Sequence, residues 1–190
     1  MSLATGTIKY TPSNVLRLFE GTWLKNPQAP EELYVPVNKP IERAYDAGEL
    51  ISLKADIVRL FSQARRELFE DGMDSAFSRG LIQVVEEHGE TAVNQISLLI
   101  ESGSIPPELL AECLRWLGNM DSGVAYERRR FLLEKCLFDS STIVRDGAIL
   151  GVSFLEDKRS IHALDKAWRA EIHDMLQADI TQVINDLNSL

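Results

Sequence analysis

Nowhere in these 190 residues do eighteen apolar residues run together, so the sequence offers no helix that would cross a membrane. Cysteine is almost missing. Cys113 and Cys136 each sit inside an apolar helical stripe, "AECLRWL" and "LLEKCLF", and read as small buried hydrophobes rather than as a disulfide or a metal pair. The opening "MSLATGTIKYTPSN" lacks the basic region and apolar block of a secretory leader, and the expected compartment is the cytoplasm. Neither HExxH nor CxxC spacing occurs, so no metal and no cofactor is expected.

Basic residues are short as well. Lys and Arg number 20 against 29 Asp and Glu, a net charge of −9. A surface that grips nucleic acid concentrates Lys and Arg, because phosphate neutralisation supplies most of the affinity, so nucleic acid is not an expected partner. The deficit is local: residues 73–103 hold one base against five acids, and 139–190 hold five against nine. A basic segment of another protein suits such a field. Hydrophobic residues at 45% and charged residues at 26% are ordinary for a globular chain and exclude wholesale disorder.

Proline divides the chain. Four of its seven prolines fall between Pro27 and Pro40, where each removes a backbone donor and biases its predecessor toward extended geometry. Residues 1–48 therefore read as an arm: a short helix near Val15, Leu18 and Phe19, a proline-rich connector, and a helical turn stopped by Gly48. From Leu50 onward only Pro106 and Pro107 occur, and both fit a first helical turn. Residues 49–190 form an all-α domain of eight expected helices, at about 50–70, 74–88, 91–102, 106–118, 124–138, 141–155, 159–170 and 173–188. Asp74 and Thr91 read as caps, Gly89 and Gly103 as stops. Connections this short make consecutive helices antiparallel neighbours.

A second period overlies the helical one. Sliding "DSSTIVRDGAILGVSFLED" forward until Asp139 falls on Glu171 also sets Val144 on Leu176, Ala148 on Ile180, Val152 on Ile184 and Leu155 on Leu187. Acid meets acid and apolar meets apolar, the mark of stacked helix pairs that cannot bury their faces alone. The same stretch resembles a HEAT-type repeat, with Asp139, Val144, Arg145, Ala148 and Leu155 at the motif's acidic, Val-Arg, small and terminal apolar positions. The resemblance implies an α-solenoid of about four antiparallel helix pairs, with Asp139 in the turn before the second helix of its pair. Gln177 stands where the motif has Arg, Ala111 is uncharged at the matching place, and Met73 leaves Arg79 without its acid. Proteins of similar architecture include non-enzymatic scaffolds, adaptors and inhibitors, and also bilin lyases and DNA glycosylases. The glycosylase reading fits poorly with a net charge of −9.

In a stacked-pair array the second helices line the concave face, where partners bind. The polar residues expected there are Arg79, Gln83, Glu86, Glu87, Glu108, Glu112, Arg115, Asp146 and Gln177, with Thr142, Thr181 and Asn185. Among them Glu86, Glu87, Glu108 and Glu112 are the expected grip on a basic partner segment. Asp139 and Arg145 are structural: an acid near a helix N-terminus accepts from free backbone donors, and the Arg reaches carboxylates nearby. Arg128, Arg129 and Arg130 fan out by 100° steps and read as solvated charges paired with Glu127, Glu134 or an adjacent acidic helix. Trp116 and Trp168 read as core. His162 and Asp165, three apart with His173 following, form the sharpest acid–base candidate, and surface placement explains them more simply. Val183, Ile184 and Leu187 lie near the chain's final helix and raise self-association through the C-terminal repeat.

Overall fold

The structure is a computed structural model, and it describes residues 45–67, 69 and 73–190. The chain divides into two compact units, Met1–Pro40 and Ile41–Leu190, and the described residues all belong to the second. Residues 1–44 of the expected arm, with its short helix and its proline-rich connector, lie outside the described residues. So does Leu68, part of the first expected stripe.

Among the described residues there are seven helices and no strand. They are α1 (Ala47–Ala64), α2 (Ala76–Glu101), α3 (Pro107–Asn119), α4 (Tyr126–Cys136), α5 (Thr142–Leu155), α6 (Ile161–Ala170) and α7 (Asp174–Ser189). A 3-10 turn, Lys158–Ser160, leads into α6. The second helix contains two of the eight expected ones. Its backbone breaks at Gly89, where φ 56° and ψ −135° form a conformation that a side chain would not tolerate. The stop read from the sequence is therefore real, and two helical segments meet at this kink.

Helix starts follow from local chemistry. Asp46 caps α1 by accepting from the Glu49 backbone N–H at 2.8 Å, and the Glu49 carboxylate accepts from the Asp46 N–H at 3.2 Å, a reciprocal box. Gly48 consequently lies inside the first turn of α1 and does not end a preceding helix as expected. Ser75 rather than Asp74 caps α2, in a box with Ser78. At the other end α1 stops at Ala64, short of the expected residue 70. The Glu67 carboxylate turns back to accept from the N–H groups of Ala76 and Phe77, capping α2 as well. Pro107 opens α3, where its missing donor costs nothing.

Packing runs between helices near in sequence. α1 lies on α2, α2 on α3 and α4, α3 on α4 and α5, α4 on α5, α5 on α7, and α6 on α7. The tightest of these contacts is α3 against α5. A Cβ added at Gly118 would lie 2.0 Å from the Gly151 carbonyl oxygen, one at Gly147 would lie 2.5 Å from Ala111 Cα, and one at Gly151 would lie 2.6 Å from the Leu114 carbonyl oxygen. Only glycine permits backbones to approach so closely. Contact positions rise together along both helices, so α3 and α5 run parallel.

A single apolar core threads all seven helices, from Leu53 and Ile57 in α1 to Ile180 and Leu187 in α7. Both copies of the aligned stripe are inside it: Val144, Ala148, Val152 and Leu155 are buried, as are Leu176, Ile180 and Leu187, with Ile184 half-buried against them.

Candidate functional site

The turns before α5 and α7 carry the same bonds at matching positions. The Asp139 carboxylate accepts from the Ser141 N–H at 2.8 Å, and the Glu171 carboxylate accepts from the His173 N–H at 3.0 Å. Arg145 donates to the Asp139 carbonyl at 2.9 Å, and Gln177 donates to the Glu171 carbonyl at 2.8 Å. Gln177 thus does, with an amide, part of what Arg145 does with a guanidinium. The rest of Arg145 crosses to the next turn and forks onto Glu171, with Nε–Oε2 at 2.7 Å and Nη2–Oε1 at 3.0 Å. That fork, helped by the backbone donors of His173 and Ile172, holds the Glu171 carboxyl at about 2, far below the usual glutamate range. Asp139, in the turn, and Arg145, in the first turn of α5, are joined through the Asp139 backbone carbonyl, while the acid that Arg145 grips is Glu171.

The residues expected to bind a partner fall into two groups. Arg79, Gln83, Glu86 and Glu87 are exposed on the first half of α2, Glu108 on the first turn of α3, and Asp146 on α5. Glu112 is buried: its Oε1 accepts from Trp116 Nε1 at 2.7 Å and from Arg115 Nη2 at 2.8 Å. Arg115, with its side chain 12% exposed, is held in that pair. Gln177 is half-buried and engaged with the turn.

The arginine cluster meets its expectation in part: Arg130 pairs with Glu127 and Glu134 and Arg128 with the acidic α2, but Arg129 and Arg130 are buried rather than solvated. Arg129 is fully buried and donates to the carbonyls of Leu117, Met120, Ser122 and Val124, with the bonds to Leu117 and Val124 at 2.6 and 3.0 Å. No carboxylate faces it among these bonds. Burial pushes its pKa down, while the carbonyl end of α3 and the loop after it give the charge oriented dipoles. Arg130 is buried too, donating to Glu134 at 2.6 Å and Glu127 at 3.0 Å. Glu127 also pairs with Arg159, which grips Asp157, and Asp157 accepts from the Tyr126 hydroxyl. This network seals α4 against the turn that begins α6. Arg128 pairs with Glu90 of α2. Periodicity missed Arg129 because three consecutive arginines look alike until the loop that wraps one of them is placed.

Trp116 is core, as expected, but Trp168 is 43% exposed and is corrected. His162, Asp165 and His173 are all exposed. Cys113 and Cys136 are free and buried, and burial pushes the Cys136 thiol up to about 12. Among the described residues no group of three or more His, Cys, Asp or Glu is arranged to hold a metal ion, and no helix is long and apolar enough to cross a membrane. Two clefts, one between α1, α2 and the start of α3 and one between α1 and α2, hold about 120 Å³ each, below the roughly 300 Å³ at which small-molecule pockets begin.

A further feature of this face is invisible to repeat periodicity. Ile143, Leu150 and Phe154 are exposed on α5 at 43%, 39% and 44%, beside Asp146. The signal was present: "TIVRDGAILGVSFL" is apolar on more sides than one buried face can use. Near the C-terminus the reverse holds, because Val183 and Leu187 are covered by the chain itself.

The class defined by these features is an all-α protein whose helices pack against their near neighbours in sequence. Comparison with protein-family models, with curated proteins and with solved structures finds no match to this chain.

Proposed function

We propose that the helical unit is a HEAT-like α-solenoid of four antiparallel helix pairs, and that it acts as a non-enzymatic protein-interaction module: a scaffold, an adaptor or an inhibitor. The pairs are α1 with the first half of α2, the second half of α2 with α3, α4 with α5, and α6 with α7. Support for the repeat comes from the parallel seam of α3 on α5 and from the bonds shared by the turns before α5 and α7. A stack of pairs in which like helices adjoin produces both.

The partner is a basic segment of another protein, held on the face of the second helices. One observation carries this. The bases near that face are engaged internally, Arg115 by Glu112 and Arg145 by Glu171, while Glu86, Glu87 and Glu108 stand exposed with Arg79 the remaining base. The local field is therefore negative, which steers a basic partner and sets its orientation. The test is affinity purification from the native host, read by mass spectrometry, with wild type and a Glu86→Lys/Glu108→Lys variant. A partner enriched by wild type should be lost from the variant and weakened by salt. Undiminished capture by the variant removes this face from the reading.

A further inference from the structure

We propose that the exposed strip on α5 seats an amphipathic basic helix of the partner protein. This rests on the reading of the second-helix face as an interaction surface and specifies what that face recognises.

Exposed apolar residues scattered singly need no explanation. Those on α5 are not scattered. At 100° per residue, positions 143, 150 and 154 fall within about 40° of one another, so Ile143, Leu150 and Phe154 form one line along the helix. Beside that line Gly147 and Gly151 press on Ala111 and Leu114 of α3, so the strip borders the α3 seam. On its other flank lies the exposed Asp146, while Arg145, on the opposite side of α5, reaches the turn that begins α7. Met175, the counterpart of Ile143 in the next pair, is 80% exposed in the first turn of α7.

Charge identifies the occupant. α7 contains no Lys or Arg, and α5 contains only Arg145, which is forked onto Glu171. The one base of α3, Arg115, is paired with Glu112. Acids are present on all three helices at exposed positions: Glu108, Asp146 and Asp179. A line of apolar side chains bordered by carboxylates complements a helix with apolar residues at i, i+3 or i+4, and i+7 and Lys or Arg on its flanks. A second copy of this chain fits badly, because a two-fold contact would set the same acid-bordered patch against itself.

The probe is a fluorescein-labelled synthetic peptide of about eighteen residues, five helical turns, with Leu at helical spacing and Lys elsewhere. A permuted peptide of identical composition, without the spacing, accompanies it. Both are titrated against the full chain by anisotropy at physiological salt, with circular dichroism confirming that each variant is folded. The amphipathic peptide should bind saturably and at least tenfold more tightly than the permuted one. Leu150→Gln/Phe154→Gln should weaken it at least tenfold and Glu108→Gln/Asp179→Asn several-fold. Phe131→Gln, at an exposed position on α4, should leave it unchanged. Equal binding of both peptides, or an unchanged affinity in Leu150→Gln/Phe154→Gln, overturns the strip while leaving the wider electrostatic reading intact. That wider reading fails separately if the Glu86→Lys/Glu108→Lys variant still captures its partner. A dimer by light scattering that Leu150→Gln/Phe154→Gln dissolves also overturns the proposal, in favour of self-association.

Discussion

Between α3 and α5 the backbones themselves touch, whereas between α1 and the first half of α2 side chains fill the gap. At the first seam a Cβ on Gly118 or Gly147 would meet main-chain atoms, which cannot move without parting the helices. At the second, a Cβ on Gly80 would meet the end of the Leu60 side chain at 2.7 Å, and edge-on aromatic contacts, Phe61 with Phe77 and Phe69 with Phe77, supply much of the packing. The turns differ in the same sense. A backbone-centred pattern recurs before α5 and α7, while before α2 the side chains of Ser75, Ser78 and Glu67 do the capping. Rigid geometry is thus concentrated where α3 meets α5, and adaptable packing where α1 meets the first half of α2.

The strongest way to break that comparison is Gly118→Ala. Its methyl would collide with the Gly151 backbone, and the expected loss is about 3 kcal/mol, at the top of the overpacking range, read by urea denaturation. A near-neutral result would mean that the seam is not as close as described.

Next in size is Arg129→Met, which strips the donor from the buried carbonyls of Leu117, Ser122 and Val124 and should cost about 2–3 kcal/mol. Arg129→Lys should not restore it, because an ammonium lacks the planar fork that reaches several carbonyls at once.

Arg145→Gln converts the turn before α5 into a copy of the one before α7. An amide at 145 can keep the bond to the Asp139 carbonyl, as Gln177 does to Glu171, but Glu171 loses its guanidinium. The expected cost at neutral pH is about 2 kcal/mol. Its pH dependence has a definite sign. Glu171 is held at about 2 in the folded chain against roughly 4.3 unfolded, so the stabilisation is complete above the higher value and is lost as pH falls toward the lower. Wild type and Arg145→Gln should therefore converge between pH 4.5 and 2, approximately the span of those two values. A gap that persists at pH 2 would show that Arg145 acts through the carbonyls instead.

The smallest effect belongs to Gly80→Ala. Displacing the tip of Leu60 should roughly offset the gain of about 1 kcal/mol from replacing a helical glycine, leaving stability within about 0.5 kcal/mol of wild type. If Gly80→Ala costs as much as Gly118→Ala, the two seams are alike and the contrast falls.

What the sequence determined by itself was the helical class, the positions of most helices, and the apolar stripes that became the core, because spacing along one helix depends only on the 3.6-residue period. It also showed the echo of the turn before α5 in the turn before α7, since Asp139 and Glu171 perform the same local act of accepting from a backbone N–H two residues on. Partner choice over distance was not legible. Nothing in "YERRRFLLEK" separates Arg129, wrapped by the loop after α3, from Arg128 on a half-buried face, and nothing near Arg145 announces that its carboxylate lies 26 residues away. Likewise Glu112 looks like an exposed acid until Trp116 and Arg115 close over it, and Ile143, Leu150 and Phe154 look like core until their helix runs out of neighbours to cover them. Those outcomes depend on which surfaces meet across the chain, and a surface is buried or left bare only by the element that lands on it.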